Sequence, residues 1–393
     1  MSIITEIARF RFTLEFIFAV DDDTLGRRLS RDFPLSPTAL LHSEEVRSRA
    51  ALVHLAAILG RDHPQVTTNP DPRVLDTHVP KDRDDIDESR WNALEAPHLA
   101  STHDVRRIRR ESLAQATNRH TVGIELLSPS FTFREWQNAL STITRLLGRL
   151  TPVQYPNLSG TGTHRDRSPK HTAWTNERCS FRLQFEPLEE DQHFHFRTLQ
   201  HLIVIWGSLE DEIGKLQPLH HRYPPNGPLS LWNNVHEDTN LDEFAREVYT
   251  AASIPELQDI FEYDRAEGEF SKISFRCRNA FSPRVARCDA IEFREHAGTL
   301  DIKDMTFWIG LTSSLLGVCE ELTEDGDLFA LDSPIDVMGI MQVVDASEQA
   351  EQYAWNRLLR MMDQSGDKGV RMTHMEGSTV LEGPGELLIE LSD

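Results

Sequence analysis

Between Arg9 and Val20 the chain alternates without a break. Phe10, Phe12, Leu14, Phe16, Phe18 and Val20 fall on one parity, and Arg9, Arg11, Thr13, Glu15 and Ile17 on the other. Successive side chains of a strand point to opposite faces, so this run predicts a long strand with one face in a core and the other carrying charge. The pattern returns in Thr121 to Leu127, Arg178 to Phe185, Lys272 to Asn279 and Ala290 to His296. In the last of these Ala290, Glu292, Arg294 and His296 share a parity opposite Ile291 and Phe293, and Gly298 follows.

Between these strands the apolar period changes to that of a helix. Trp136, Leu140, Ile143, Leu147 and Leu150 mark one helix within about residues 133 to 150, and Leu199, Leu202, Ile205, Trp206, Leu209, Ile213 and Leu216 a second over about 196 to 216. Met305, Trp308, Ile309, Leu315, Leu316 and Cys319 mark a third, interrupted by Thr312. Five strands with one charged face and three one-sided helices predict an α+β fold, a sheet backed by helices with its charged face open. Residues 21 to 120 contain a helix over about 43 to 59 and otherwise read as loop and surface helix, rich in Asp and Pro.

Composition narrows the partners. With 63 acidic and 41 basic residues the formal charge is -22, which disfavours general attraction to nucleic acid or an anionic membrane. Arg106, Arg107, Arg109 and Arg110 form a basic cluster, spread around a solvated surface at helical spacing. Cys179, Cys277, Cys288 and Cys319 lack paired metal spacing and read as reduced core cysteines. Met1 to Phe10 shows no leader pattern, and apolar runs such as 202 to 206 are too short to span a bilayer, so a cytoplasmic protein without a membrane partner is expected. Ser159-Gly160-Thr161-Gly162-Thr163 lacks the strand before it and the helix after it that a phosphate loop requires.

Acid and cation recurring on the same parity of successive strands suit either a solvated sheet face or a ligand cradle. Four segments carry a resemblance that bears on this choice: Phe12 to Phe16, Val122 to Pro129, Gln217 to Arg222 and Ile291 to Asp301. Their order and approximate spacing, over about residues 9 to 320, resemble the amidoligase family common in filamentous fungi. That family belongs to the carboxylate-amine ligases with a glutamine-synthetase-like fold.

The resemblance implies a curved, mostly antiparallel sheet of about five or more strands backed by helices. It implies one such domain over residues 1 to 325, with a helical and loop insertion at about 21 to 120 and a C-terminal extension over 326 to 393. Function would be ATP-dependent amide formation between a small carboxylate and an amine, through an acyl phosphate, with Mg2+ bridging the phosphates. Matched residue by residue, Glu15, Glu125 and Glu292 are the acids that would hold metal or the amine. Arg294 and Arg182 would hold anionic groups, Arg222 a carboxylate or phosphate, and His296 would move a proton. Gln184, Arg276 and Arg278 join the substrate face.

Two departures change that chemistry. Ile17 stands where a second acid is expected on the first strand, and Arg182 and Gln184 stand where two histidines are expected. Arginine cannot ligate a cation and repels one. His193 and His195 lie at the start of a helix and read as exposed or capping, and His220 and His221 as part of a turn. Three readings stay open. The first is a ligase in which arginines replace metal charge. The second is amide formation from a preactivated donor, an aminoacyl ester or a carrier thioester, with an aminoacyl-tRNA attached through the Arg106 to Arg110 cluster as one version. The third is a pseudoenzyme binding a small anionic metabolite or a protein partner.

Overall fold

The computed structural model describes residues 8–22, 24–26, 44–59, 77–80, 85–100, 119–150, 171–189, 191–222, 230–231, 240–261, 271–278, 287–325 and 336–365. The phosphate-loop candidate at 159–163, the basic cluster at 106–110 and most of the Asp- and Pro-rich stretch lie outside the described residues.

The alternating run becomes β1 (Ala8–Asp21), long enough to have two partners along each edge. On one edge it pairs with β4 (Arg119–Leu127) and the short β5 (Phe131–Thr132). On the other it pairs with β6 (His171–Trp174) and β7 (Ser180–Pro187). Beyond β7 come β9 (Arg287–Ala297) and β8 (Ile273–Arg278), and beyond β4 come β3 (Trp91–Glu95) and β2 (Thr77–His78). The sheet therefore has nine strands, in the order β2-β3-β4-β1-β7-β9-β8 with β5 and β6 alongside β1. All pairs are antiparallel except β2 with β3.

One face of this sheet is buried under helices. Phe10, Phe12, Leu14, Phe16, Phe18 and Val20 of β1 join Val122, Ile124 and Leu126 of β4 and Phe181, Leu183 and Phe185 of β7 in one apolar cluster. The helices that complete it are α1 (Glu44–Leu59), α2 (Trp136–Leu150), α3 (Phe196–Lys215) and α7 (Ile302–Asp325). Between α3 and α7 lie the short α4 (Leu219–Arg222), α5 (Leu241–Thr250) and α6 (Ile254–Phe261). Trp206 of α3 packs at 5.0 Å between ring centres on Phe293 of β9 and at 6.0 Å, edge to face, on Trp308 of α7. Thr312, the polar interruption of α7, returns its hydroxyl to the Trp308 carbonyl at 2.8 Å and so costs the stripe nothing unpaired. Cys179, Cys288 and Cys319 are buried, and all four cysteines are unbridged.

Where the stretch from 21 to 120 is described, it adds more to the core than loop and surface helix: α1 buries Ala51, Leu52, Leu55 and Leu59, and β3 joins the sheet. Residues 336–365, the described part of the expected C-terminal extension, pack against the same core. Val337, Ile340 and Met341 of α8 (Val337–Val343) and Tyr353 and Ala354 of α9 (Glu348–Ser365) lie in the same apolar cluster as the sheet.

A band of buried polar groups runs behind β9. Lys272 places its ammonium 2.8 Å from both Glu210 of α3 and Glu295 of β9, and Trp206 Nε1 donates to Glu295 at 3.1 Å. Burial, with Glu210 as a second negative charge, pushes Glu295 up to about 7 against the pull of Lys272. Lys272 had been expected on the open polar face with Ser274 and Arg276. It instead reaches inward, because one cation between two buried acids is cheaper than either acid alone. Next to this triad, Arg357 of α9 donates to the Leu216 carbonyl at 2.6 Å and pairs with Asp304, which also accepts from Tyr353. The C-terminal helix is thereby tied to the end of α3.

Four buried histidines stay neutral. Desolvation lowers His120, His201 and His221 to about 4 and His296 to about 3. Because these values are depressed, the stability they confer is present above the unfolded value near 6.5 and lost as pH falls. Glu295 is raised, so its contribution is present below 4.5 and lost as pH rises through 7. In the window from 4.5 to 6.5, unfolding takes up four protons at histidine and releases one at Glu295, a net uptake of about three. Denaturant unfolding should therefore show stability falling between pH 7 and pH 5 by up to roughly 4 kcal/mol per pH unit. A flat profile over that range would contradict the assignment.

Candidate functional site

The opposite face of the sheet carries the charge, and β1, β4, β7 and β9 bring it together. Register pairs Glu15 directly with Glu125 and sets Thr13 beside Arg182. Like charges directly opposite each other destabilise a sheet unless a cation intervenes. Arg182 intervenes: its Nη2 lies 2.9 Å from Glu15 and 2.7 Å from Glu125, and its Nη1 lies 3.9 Å from Glu292. Burial alone would lower the Arg182 value, but Glu15, Glu125 and Glu292 outweigh it and hold the guanidinium above its ordinary range. Ser180 adds two hydrogen bonds to Glu15, from its backbone nitrogen at 2.9 Å and its hydroxyl at 2.7 Å. Arg294 Nε donates to Glu292 at 2.9 Å.

His296 does not belong to this face, contrary to the alternation of its sequence. Between the pairs Leu183↔Phe293 and Phe181↔His296 the β7–β9 register shifts, so the segment holding Arg294 and Glu295 faces Arg182 alone. Such a bulge inserts one residue and reverses the parity beyond it. Phe293 and His296 consequently both face the core. His296 packs edge to face on Phe181 at 5.8 Å, stacks near Trp308 at 5.1 Å and lies 3.4 Å from Arg357 Nη2. Buried and neutral there, it cannot move a proton at the charged face.

The remaining expected residues divide. Gln184 shares the face but donates to Glu186 at 2.6 Å. Arg276 also donates to Glu186, at 3.0 Å. Arg222 is not brought to the face: its Nε donates to the Gln217 carbonyl at 2.8 Å and its Nη2 to Lys215 at 3.0 Å, closing the C-terminus of α3. The side chain of Arg278 lies outside the described residues, though its backbone ends β8 opposite Arg287. His193 and His195 are exposed, and His195 is the N-cap residue of α3. His220 is exposed while His221 is buried, and both sit in the single turn of α4, a helical turn where a non-helical one was expected.

Several residues of the face were not singled out from sequence. Glu186 is contacted by Arg9 at 3.3 Å, Arg11 at 2.6 Å and Arg276 at 3.0 Å. Hydrogen bonds and charge from these arginines outweigh desolvation and keep Glu186 below its ordinary value. The signal was available, since Arg182, Gln184 and Glu186 continue one period-two series, as do Arg9 and Arg11.

This donor set does not fit a divalent cation. Ile17, at the expected position of an acid, is fully buried in a small apolar patch with Ala96, Leu99 and Cys179, against which Trp174 packs. Gly123 permits that patch, for a Cβ there would collide with the Ala96 carbonyl. Both oxygens of Glu15 are engaged by Arg182 and Ser180, and an oxygen of Glu292 by Arg294. Among the described residues no group of three or more His, Cys, Asp or Glu is arranged to hold a metal. Three acids and two arginines leave this cluster at net -1, which also disfavours a nucleotide polyphosphate unaccompanied by metal.

Replacing Arg182 by Ala should leave Glu15 and Glu125 as uncompensated, largely buried charges and cost about 3–5 kcal/mol. In thermal melts, millimolar Mn2+ should recover part of that loss in Arg182→Ala and leave the wild-type midpoint unmoved. A shift of the wild type by Mn2+ equal to that of the variant would refute the view that the guanidinium already supplies the cation.

Among the described residues no helix is long and apolar enough to cross a membrane. Compared with known proteins, the chain matches no protein-family model, no curated protein and no solved structure.

Proposed function

We propose that the open face of the sheet is the working surface of an amide-forming protein of the carboxylate-amine ligase type, acting on a preactivated acyl donor with Arg182 in the place of a divalent cation. The observation that carries this reading is the convergence of Glu15, Glu125 and Glu292, from three strands, on one partly buried guanidinium. Burying charge in this way is rarely the stable choice for a sheet, and apolar side chains would serve a purely structural role at least as well. A glutamine-synthetase-like origin for the fold is supported by the strands of three resembling motifs, since β1 and β9 flank β7 and β4 pairs with the far edge of β1.

In this reading an amine nitrogen attacks the acyl carbon of a thioester or ester. The new C–N bond forms as the C–S or C–O bond breaks, and the proton lost by nitrogen leaves with the departing thiol or alcohol. Glu292, the most exposed of the three acids at 21%, receives the amine. Arg294 and Arg182 stand where negative charge develops on the acyl oxygen, stabilising it as fixed donors do elsewhere. No phosphoryl transfer is needed, in keeping with the poor fit to Mg2+ and ATP. A cytoplasmic, biosynthetic setting goes with this reading.

One observation favours a second reading, binding without turnover: His296, the imidazole of the resembling motif, is turned into the core and neutral. A calorimetric titration with Mg-ATP, and a mass-spectrometric assay with a primary amine and acyl thioesters, distinguish these readings. We expect no heat at millimolar Mg-ATP, and amide product that falls at least a hundredfold in Arg294→Ala. Nucleotide binding would contradict the metal-free reading, unaltered turnover in Arg294→Ala would remove that residue from the site, and absence of product with every donor would leave the binding reading.

A further inference from the structure

At the end of the open face away from Ile17, a cleft of about 210 Å³ lies against β1, β7, β8 and β9. Its charge is sorted by origin. Arg9 and Arg11 come from β1 and Arg276 from β8, and all three close on the carboxylate of Glu186, whose side chain is only 4% exposed. Three guanidiniums against one buried acid leave a local surplus of two positive charges. Around them stand Glu88, Glu189 and Asp289, which turn the surplus into a net charge of -1 for the cleft as a whole.

Glu186 does not exhaust its arginines. Arg9 meets it through Nε and Arg276 through Nη2, and these two side chains are 31% and 55% exposed. Each therefore keeps terminal N–H groups toward solvent, in the fork geometry that recognises a carboxylate. A dianion would meet the three outer acids, and a dication would meet the arginines. A molecule with one carboxylate and one separated ammonium satisfies both sets.

We propose that this cleft binds a small zwitterion of the amino-acid class, its carboxylate on Arg9 and Arg276 and its ammonium toward Glu189. The volume is below the roughly 300–1,000 Å³ of sites for drug-sized ligands, and suits a molecule of that size. The inference rests on reading the open face as a small-molecule site, but not on turnover there.

The test is ligand-observed saturation-transfer NMR on the full chain with three probes of similar length, γ-aminobutyrate, succinate and putrescine, without acyl donor or nucleotide. γ-Aminobutyrate should bind in the millimolar range and the other two at least tenfold more weakly. Arg276→Ala should weaken γ-aminobutyrate at least tenfold and Arg276→Lys by less, since lysine keeps the charge without the fork. Arg276 is exposed enough for both variants to fold. Preference for succinate or putrescine, absence of γ-aminobutyrate binding, or unchanged affinity in Arg276→Ala would each overturn the proposal. Because no step of catalysis is read, failure of amide formation leaves this result standing, and the converse also holds.

Discussion

One extra residue in β9, opposite Arg182, decides which side of the sheet holds His296. Before the shift, Glu292 lies on the open face with Gln184 and Ser274. Beyond it, Glu295 and His296 turn inward, one to Lys272 and Trp206 and the other to Arg357 and Trp308. A regular strand would still have turned Glu295 inward, on the parity of Phe293, but would have put His296 among the open-face acids. The bulge thus takes the imidazole of His296 off the open side, where three acids meet Arg182, and adds it to the buried band beside Glu295 and Arg357.

The two sides are also joined at the end of β9. Gly298 follows the last strand residue and donates to the Cys179 carbonyl at 2.7 Å, with so little room that a Cβ would stand 2.5 Å from that of Cys179. Glycine is there for close approach of two backbones. Cys179 belongs to the apolar patch that also holds Ile17. The apolar patch that holds Ile17 and the end of β9 that holds His296 inward are therefore neighbours.

Much of this was legible in the sequence, and what was not has identifiable causes. Strict alternation located β1, β4, β7, β8 and β9, and apolar spacing located α2, α3 and α7, because each of these elements has one covered side and one polar side. The strand β3 has neither signature: Trp91, Asn92 and Ala93 are all buried, so neighbouring parities carry similar chemistry. The bulge was invisible because Glu292-Phe293-Arg294-Glu295-His296 alternates on paper, and only pairing with β7 shows which residue is extra. Arg222 looked like an anion ligand, yet the carbonyls of α3 reach it first. Glu15, Glu125, Glu292 and Arg182 were grouped through the resemblance, whereas parity alone suited a solvated sheet face equally well. The cleft around Glu186 was missed because the apolar alternation stops at Phe185, two residues short of the end of β7.

The central claim is that Arg182 occupies the place of a cation among Glu15, Glu125 and Glu292. Crystals soaked in MnCl2 and measured for anomalous scattering test it most directly. The account predicts no manganese peak among these three carboxylates and the Arg182 guanidinium in hydrogen-bond contact with Glu15 and Glu125. A peak coordinated by two or more of the three acids, with Arg182 displaced, would contradict it.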